Sequence, residues 1–505
     1  MDLDTNWVAG RWAPATGDAA VIVSPIDGGP LHEVRFAGDR EIEAALAGAT
    51  EAAAVMAATS QAQRARALGD LATALKRRAE PIAEATILAN GCLRKQALAM
   101  QALSAVALLE AFAPLAEKHA LRELRRGLRG GDVLVRKIPV GVSVGVAPWN
   151  APVFLSAVKL AGAISAGAPL ILKPSPETVG ATAWLAEALA ELDLPLGALS
   201  VLHGGREVGR KLVADPRVAK VSFTGGMLGG LEVAATCARR LARCTLELGG
   251  KSAAVLLDDF DPATVLPEFM SSMLQNNGQI CGAQTRLLID RRIYERTLET
   301  LAAAFRDLRV GDPRDAGTDI GPVITAAQRD RLEAAIGAAR EAGGRVIAGG
   351  ERPRDTPPGF YVAPTLIADL APDAPQAREE LFGPIIVALP FENEDEAIAL
   401  ANDSRYGLAG SVWTPDLERG AKFATGISAG TVSLNSKRIL DFGSPFGGLR
   451  HSGLGRELGP EGIDAYLETQ SVILPEGLAR LPRPVEESTK RGLGLKVESG
   501  LRGGT

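Results

Sequence analysis

The pattern of hydrophobic and polar positions divides the chain into a helical first part and a long alternating part. From residue 39 to residue 120, apolar positions recur at helical spacing, with breaks expected near Ser60, Pro81 and Asn90-Gly91. Further along, short apolar runs alternate with helical ones. The first alternating series predicts strands at 142–147, 170–172, 200–202, 219–223 and 244–248, separated by helices at 153–165, 178–192, 207–214 and 228–239.

A second alternating series follows the first. Its predicted strands are 253–257, 285–289, 344–347, 385–390 and 410–413. Strands that alternate with helices in this way are typical of βαβ units, so we predict an α/β fold with two doubly wound parallel sheets. Ligands of such sheets gather at the carboxyl ends of the strands. The glycine-rich segment 127–141 is predicted to form an arm or hairpin outside the sheets.

The composition excludes several classes of protein. The 505 residues are 46% hydrophobic and 23% charged, which argues against a disordered or fibrous chain and favours two or three globular domains. Lys and Arg number 55 against 60 Asp and Glu, so the basic excess typical of nucleic-acid binding is missing. We see no secretory signal and no unbroken membrane-spanning run. The four cysteines fit neither a disulfide scaffold nor a zinc site, so we expect a cytoplasmic protein without a metal.

Familiar catalytic motifs offer one rival interpretation. Residues 426–430 match the G-x-S-x-G pattern of a hydrolase nucleophile, and Asp441 and His451 follow in the order of a catalytic triad. That motif requires a strand before it and a helix after it. Here a predicted helix precedes the motif and a predicted strand follows it, so we interpret 426–430 as a glycine-rich turn.

Two other segments carry the strongest catalytic signal. Leu-Glu-Leu-Gly-Gly-Lys at 246–251 places Glu247 at the end of a predicted strand, and Asn-Asn-Gly-Gln-Ile-Cys at 276–281 places Cys281 after a glycine turn. A cysteine nucleophile needs a base, and desolvation can raise the pKa of a carboxyl enough for that role. Taken alone, a Glu at the end of a strand is usually an ion-pair partner, and a single Cys is usually a core residue. Their joint presence therefore needs a common explanation.

The chain resembles the aldehyde dehydrogenase superfamily from about residue 8 to residue 473. Besides the Glu247 and Cys281 segments, the resemblance is carried by Ala-Pro-Trp-Asn at 147–150, Leu-Lys-Pro-Ser at 172–175, Ser-Phe-Thr-Gly at 222–225, Glu-Glu-Leu-Phe-Gly-Pro at 379–384 and Ser-Pro-Phe-Gly-Gly at 444–448. These motifs stand in the order of the family, with its spacing between Glu and Cys. The resemblance implies an enzyme that oxidises a small-molecule aldehyde to the carboxylic acid with NAD, or with NADP.

The resemblance also implies roles for individual residues. Cys281 would attack the aldehyde, Asn150 and the Cys281 N–H would bind the oxyanion, and Glu247 would activate the water that hydrolyses the thioester. The implied cofactor residues are Trp149, Lys173, Ser175, Gly205, Gly209, Gly225, Leu248, Glu380 and Phe382. The implied aldehyde tunnel, apolar and in part lined by small residues, consists of Ala151, Leu155, Val158, Ile280, Gly282, Leu440 and Phe446. Such a lining predicts room for a bulky hydrophobic aldehyde.

Several positions leave alternatives open. Gly226-Met227 replaces the usual Ser-Thr, which predicts weaker cofactor affinity and keeps a non-catalytic protein on the same scaffold as an alternative.

Pro176 stands where NAD-selective relatives often carry Glu. We favour NAD because Glu177 is adjacent and no arginine is evident nearby. Lys251 is expected either to have a structural role or to form a salt bridge, and the sequence favours neither interpretation.

Two alternatives concern the substrates. In a CoA-acylating relative, CoA rather than water takes the acyl group, but that subclass commonly lacks the Glu base, so Glu247 favours hydrolysis. Lys437 and Arg438 fall near the tunnel mouth and would attract an anionic substrate, although a solvated surface pair is the favoured interpretation.

The resemblance and the strand pattern together predict the domain organisation. We expect a cofactor-binding domain at 1–123 and 142–246 with 435–466 returning to it, a catalytic domain at 247–434, an oligomerisation arm at 124–141 and 467–476, and a tail at 477–505. The arm would extend a neighbour's sheet to give a homodimer or homotetramer.

Overall fold

The computed structural model describes residues 2–475, so the predicted tail at 477–505 lies outside the described residues. The α-helices of the described part are α1 (Asp39–Ala58), α2 (Gln61–Arg77), α3 (Ala79–Asn90), α4 (Arg94–Ala97), α5 (Ser104–Lys118), α6 (Pro152–Ala166), α7 (Val179–Leu189), α8 (Arg206–Ala214), α9 (Met227–Ala238), α10 (Leu266–Leu274), α11 (Tyr294–Asp307), α12 (Ala326–Glu341), α13 (Pro375–Arg378), α14 (Glu394–Asn402), α15 (Leu417–Ala424) and α16 (Gly459–Asp464). Its β-strands are β1 (Thr5–Val8), β2 (Arg11–Pro14), β3 (Ala19–Val23), β4 (Pro30–Arg35), β5 (Arg122–Arg126), β6 (Asp132–Pro139), β7 (Ser143–Val146), β8 (Leu170–Lys173), β9 (Leu199–Val201), β10 (Lys220–Thr224), β11 (Arg243–Glu247), β12 (Ala253–Leu256), β13 (Arg286–Asp290), β14 (Arg345–Ala348), β15 (Thr365–Ala368), β16 (Ile385–Phe391), β17 (Ala409–Trp413), β18 (Thr431–Leu434), β19 (Gly453–Leu454) and β20 (Leu467–Leu474).

The first large sheet has eight strands in the order β19-β11-β10-β7-β8-β9-β1-β2. Its five central strands are parallel, and antiparallel strands form both edges. The chain runs outward from β7 to β9 on one side and then crosses to β10 and β11 on the other. The strand order therefore reverses between β7 and β10, which is where open α/β sheets bind ligands beyond their carboxyl ends.

The second large sheet has seven strands in the order β14-β15-β16-β13-β12-β17-β18. All its pairs are parallel except β14 with β15. Its order reverses at β12, which follows β11 after a short turn through Gly249 and Gly250. The α/β prediction with two doubly wound sheets is confirmed, because buried strands separated by helical crossovers leave few other arrangements.

Helix α6 is the most deeply buried helix near the site. It packs against β7 and β8 on one side and against α2, α5 and α16 on the other. All of its residues except Leu155 are buried, including Lys159. A helix enclosed on all sides needs apolar residues around its whole circumference, so a lysine in this position requires a specific partner.

The helix breaks follow from local signals in two of three cases. α2 begins after Ser60, which forms a reciprocal capping box with Gln63. α3 ends where Gly91 adopts a left-handed conformation, with φ of 75°. The break expected near Pro81 occurs at Arg78, between α2 and α3, but proline does not cause it. Pro81 lies in the first turn of α3, where its missing N–H has no helical partner to lose.

One helical stretch, Arg94–Lys118, is long and apolar enough to cross a membrane by length and composition alone. The sequence analysis did not anticipate this stretch. In the fold, its Leu108, Leu109 and Phe112 are buried in the same hydrophobic cluster as α2 and α6. The apolar composition is therefore used at least in part for core packing.

A three-stranded antiparallel sheet lies apart from the two large sheets, in the order β20-β6-β5. β6 pairs with β20 along the full length of both strands. Several apolar side chains of this sheet face outward, among them Leu124 and Ile473, with 48% and 82% of their surface exposed.

Candidate active site

The carboxyl ends of β7, β10 and β11 meet at one cleft of about 230 Å³. Asn150 follows β7, and Thr224 and Glu247 end β10 and β11 in direct register with each other. The cleft is lined by Pro148, Trp149, Asn150, Leu155, Thr224, Gly225, Gly226, Glu247, Leu248, Gly249, Cys281, Gln328, Arg331, Glu380 and Phe382. The fold thus brings the three residues predicted to be catalytic into one cavity.

Cys281 reaches the cleft through an irregular turn. Asn276 and Asn277 both adopt left-handed conformations, with φ of 52° and 59°, at the end of α10. Asn tolerates this conformation better than most residues. Burial, together with the charges of Glu380 and Glu247, raises the pKa of the Cys281 thiol to about 12. The thiol therefore needs a base to form a thiolate near neutral pH.

Glu247 has the environment of a general base. Its side chain is 3% exposed, and neither carboxylate oxygen has a hydrogen-bond partner among the described residues. Burial raises the pKa of this carboxyl well above its usual range, and the nearby charge of Glu457 raises it further. A carboxyl with a raised pKa can accept a proton near neutral pH.

Asn150 is held by a group of buried amides that the sequence analysis missed. The Asn150 carbonyl accepts hydrogen bonds from Gln101 at 3.0 Å, from Asn276 at 3.0 Å and from Asn90 at 3.3 Å. Gln101 lies in a π-helical segment, Leu98–Leu103, between α4 and α5. The only signal in the sequence was a glutamine inside a strongly apolar run.

A buried ion pair behind Glu247 was also missed. Lys159 Nζ lies 3.0 Å from Glu457 Oε1 and also donates to Ser222 and Thr224. Lys159 lowers the pKa of Glu247, whereas Glu457 raises it. The signal in the sequence was a lysine inside the apolar helix α6.

A second cleft, of about 710 Å³, lies beside the first and contains several predicted cofactor residues. Lys173, Ser175 and Gly209 line it, together with Pro176 and Glu177. Burial lowers the pKa of Lys173 to about 8, and the charge of Glu177 opposes that shift. Gly205 is not in the lining and instead precedes the first turn of α8.

The expectation that no arginine lies near this cleft is wrong. Arg206, Arg210 and Arg239 all line it, because α8 and α9 bring residues distant in sequence beside Lys173. Arg206 and Arg210 both form ion pairs with Glu232, which also lines the cleft. Ser175 donates a hydrogen bond to Glu177.

The first turn of α9 borders both clefts and is suited to bind a pyrophosphate. Gly225 and Gly226 line the first cleft, and Gly229 lines the second. Gly226 provides no side-chain cap, so the N–H groups at the start of the helix are not satisfied by a cap. Such N–H groups, together with the helix dipole, favour an anion. Gly226-Met227 therefore lacks the side chains of the usual Ser-Thr but keeps the backbone N–H groups that can bind an anion.

The remaining predicted cofactor residues surround Gly249. The N–H of Gly250 donates to Glu380 Oε1 at 3.1 Å, and a Cβ on Gly249 would overlap the Glu380 carboxylate. Burial raises the pKa of Glu380 to about 7. Trp149 and Phe382 pack edge to face with ring centroids 5.4 Å apart, and Leu248 lies in the same wall.

Of the predicted tunnel residues, only Leu155 lines the cleft that contains Cys281. Ala151, Val158 and Phe446 are buried in one hydrophobic cluster, against which Leu155, Leu440 and Cys281 pack. The remaining tunnel residues, half-buried Ile280 and buried Gly282, flank Cys281 in the chain. Phe442, which the sequence analysis missed, packs on the same cluster and lies 6.2 Å from Phe154 between ring centroids. Lys437 and Arg438 are exposed.

The hydrolase interpretation of residues 426–430 has no structural support. Helix α15 precedes residues 426–430 and strand β18 follows them, which is the reverse of a nucleophile elbow. Among residues 2–475, no group of three or more His, Cys, Asp or Glu side chains is arranged to hold a metal ion.

Comparisons with known proteins agree with the site. The model of the aldehyde dehydrogenase family matches residues 12–472. A geranial dehydrogenase from Castellaniella defragrans is 38% identical over 94% of this chain and 99% of its own, and a betaine aldehyde dehydrogenase from Cereibacter sphaeroides is 36% identical over 92% and 96%. The crystal structure of a Mycobacterium tuberculosis aldehyde dehydrogenase complexed with NAD+ has a TM-score of 0.92 at 38% identity, covering 95% of this chain and 100% of that chain. The chain therefore belongs to the aldehyde dehydrogenase family, and it oxidises aldehydes with NAD or NADP as its cofactor.

Proposed function

We propose that this enzyme oxidises a bulky hydrophobic aldehyde to the carboxylic acid by the hydrolytic route, with Cys281 as nucleophile, Glu247 as base and Asn150 as oxyanion donor. The observation that carries the proposal is the position of Glu247. Its carboxylate is buried, makes no hydrogen bond within the described residues, and faces the cleft that contains Cys281.

In the acylation step, the Cys281 sulfur forms a bond to the aldehyde carbon, and the thiol proton leaves to a base. Glu247 is suited to receive that proton because burial raises its pKa. The oxyanion of the resulting thiohemiacetal is stabilised by the Asn150 side-chain amide and the Cys281 N–H. The bound cofactor would supply the hydride acceptor for this carbon, and loss of the hydride from the thiohemiacetal would leave a thioester on Cys281.

Before deacylation, Glu247 releases to solvent the proton it accepted from Cys281. In the deacylation step, the ionised Glu247 carboxylate takes a proton from water as the water oxygen attacks the thioester carbon, and this proton returns to the Cys281 sulfur when that sulfur leaves. The C–S bond then breaks, and the carboxylic acid leaves. Glu380 and Lys173 are proposed to hold the two riboses of the cofactor, while the first turn of α9 binds its pyrophosphate. Trp149, Phe382, Leu248, Ser175, Gly209 and Gly225 complete the cofactor site, and Gly205 supports it from outside the lining.

The substrate class rests on the chemistry of the tunnel. Its proposed lining, Ala151, Leu155, Val158, Ile280, Gly282, Leu440 and Phe446, contains no charged side chain, and two of these residues are small. The relative named geranial dehydrogenase supports a long apolar aldehyde. The relatives named betaine aldehyde dehydrogenase favour a cationic substrate instead, but the proposed lining contains no carboxylate that would bind a cation.

The proposal is tested by measuring NADH formation and identifying the product across aldehydes of different chemistry. We expect kcat/KM for long aliphatic or terpenoid aldehydes to exceed that for betaine aldehyde by at least about tenfold, because burial of each CH2 group contributes about 0.8 kcal/mol. Cys281→Ala should be inactive with every aldehyde, and Cys244→Ala, which lies outside the cleft, is the matched control. Preference for betaine aldehyde would contradict the substrate proposal, and acyl-CoA formation on addition of CoA would contradict the hydrolytic route.

We also propose the predicted domain limits, a cytoplasmic location, and assembly through the sheet β20-β6-β5 into a dimer or tetramer. Exposed apolar residues such as Leu124 and Ile473 support the assembly, because such side chains are usually covered in a complex. The four cysteines are free thiols, which fits a reducing compartment. Light scattering of the purified protein tests the assembly, and a monomer at micromolar concentration would contradict it.

A further inference from the structure

Two of the four cysteines lie next to each other, outside both clefts. Cys237 is in the last turn of α9, and Cys244 is the second residue of β11. Both pack in one hydrophobic cluster, where α9 contacts β11. Neither residue lines the cleft of the nucleophile or the cleft beside it. The proposed oxidation of aldehydes therefore uses neither thiol.

A tight turn brings the two cysteines together. The Cys237 carbonyl accepts hydrogen bonds from the N–H groups of Arg240 at 3.2 Å and Ala242 at 3.0 Å, so the chain reverses directly at the end of α9. Leu241 adopts a left-handed conformation in this reversal, with φ of 57°. β11 then packs against the helix that precedes it, and the side chains of Cys237 and Cys244 are hydrogen-bonded to each other.

The two thiols differ in exposure and in acidity. Cys237 is only 1% exposed, whereas Cys244 is half-buried. The hydrogen bond from Cys237 lowers the pKa of Cys244, burial opposes this effect, and the charge of Lys220 lowers the pKa further. The same hydrogen bond, together with burial, raises the pKa of Cys237. Because the thiolate is the nucleophilic form, Cys244 is the thiol that reacts first, and Cys237 is held beside it.

We propose that Cys244 and Cys237 form a dithiol site that reduces a hydroperoxide and closes into an intramolecular disulfide. The Cys244 sulfur attacks one peroxide oxygen, so that an S–O bond forms and the O–O bond breaks. The second oxygen takes up the proton that Cys244 released and leaves as water or an alcohol. The Cys237 sulfur then attacks the Cys244 sulfur, the S–S bond forms, and hydroxide leaves with the Cys237 proton as water. The two thiols lose two electrons, and the peroxide gains them.

The position of Cys237 decides what becomes of an oxidised Cys244. A sulfenic acid without a neighbouring thiol is open to further, irreversible oxidation, whereas a thiol in contact with it closes a disulfide. Cys237 is already hydrogen-bonded to Cys244, and the two lie on adjoining segments, so closure needs no movement of a distant part of the fold. The bond joins the last turn of α9 to β11, and exchange with a small thiol reverses it.

The site is tested by peptide mapping of the reduced wild-type protein after treatment with hydrogen peroxide. Remaining thiols are alkylated before the protein is unfolded and digested. Trypsin cuts after the three arginines between the two cysteines, so these fall in separate peptides, 221–239 and 244–251. We expect the two peptides to be linked, and to separate on reduction with dithiothreitol. Full alkylation of both peptides at a peroxide dose that oxidises Cys281 would overturn the proposal, and so would a disulfide between two chains.

Single variants test the order of the two steps. In Cys237→Ser, Cys244 should stop at the sulfenic acid, which dimedone traps as a stable adduct. In Cys244→Ser, Cys237 should remain a thiol through the same treatment. Cys92→Ser makes the same change at a third cysteine and should give the linked peptides in wild-type yield. A dimedone adduct on Cys237 in Cys244→Ser, with none on Cys244 in Cys237→Ser, would contradict the proposed roles.

The measurement does not depend on the proposed aldehyde chemistry. Cys281→Ala removes the nucleophile of that reaction, and we expect the linked peptides in unchanged yield. If a variant fails to fold, the wild-type map alone decides the outcome. In the wild type, peroxide should consume Cys244 at least about tenfold faster than Cys92, because burial raises the pKa of Cys92 to about 12. Equal rates for these two thiols would overturn the proposal.

Discussion

The side-chain amide of Asn150 donates a hydrogen bond to the main-chain carbonyl of Gln279, at 3.0 Å, two residues before Cys281. The proposed oxyanion donor is thus tied directly to the loop of the nucleophile. One amide hydrogen is used in this bond, and the second remains for the cleft that Asn150 lines. The Asn150 carbonyl is held at the same time by Gln101, Asn276 and Asn90.

This arrangement makes Gln101 a positioning residue for Asn150. We expect Gln101→Met to lower kcat by about tenfold with little change in KM, because a displaced oxyanion donor stabilises the transition state less well. Steady-state kinetics on the wild type and the variant measure this split.

A coupling experiment separates positioning from general damage to the fold. If Gln101 acts through Asn150, then Gln101→Met should have no further effect on kcat in the Asn150→Ala background. Independent, additive losses in the two variants would show that Gln101 contributes only to stability.

The raised pKa of Glu247 predicts a pH dependence of deacylation. Only the ionised carboxylate accepts a proton, so kcat should fall as the pH is lowered through this raised pKa. In Glu247→Gln we expect slow turnover without this acidic limb, and a thioester visible by intact-protein mass spectrometry after addition of aldehyde and NAD. Wild-type turnover by this variant would assign water activation to another group.

The buried ion pair between Lys159 and Glu457 predicts that removing the lysine alone destabilises the protein more than removing both charges. Lys159→Met leaves the Glu457 carboxylate buried without its cation, and we expect a loss of about 3–5 kcal/mol in the free energy of unfolding. The double variant Lys159→Met/Glu457→Gln should recover part of that loss, since no buried charge remains. Urea unfolding measures both, with Lys422→Met as the exposed control. A single variant as stable as that control would contradict the expectation.

The cleft around Lys173 predicts that Glu177 contributes to the preference for NAD. A carboxylate near the adenosine ribose repels a 2′-phosphate by about 1 kcal/mol in a hydrated site. Glu177→Gln should therefore raise the ratio of kcat/KM for NADP over NAD by roughly fivefold, helped by Arg206 and Arg210 in the same cleft. Glu110→Gln, at an exposed position of α5, serves as the control. An unchanged ratio would exclude Glu177 as a determinant.

Much of this molecule could be predicted from the sequence because the relevant signals are local. Alternating strand and helix patterns indicated both parallel sheets, and the glycine after Asn90 marked the end of a helix. Glu247, Cys281 and Asn150 stand in short motifs at the ends of strands and turns. The carboxyl ends of neighbouring parallel strands meet at the same edge of a sheet, so the presence of Glu247 and Asn150 in one cleft follows from the topology. Cys281 joins them through the irregular turn after α10.

The tertiary structure decided what depends on contacts between distant segments. Gln101 and Lys159 are ordinary positions in apolar helices until packing buries them beside Asn150 and Glu457. Arg206 is remote from Lys173 in the sequence, yet α8 places both in one cleft. Arg286 and Arg450 are remote from Lys251 in the sequence, yet all three line one small cavity, where Lys251 Nζ has no hydrogen-bond partner among residues 2–475. Burial, and the choice of partner it enforces on a charged group, is a property of the assembled fold, which no local pattern encodes.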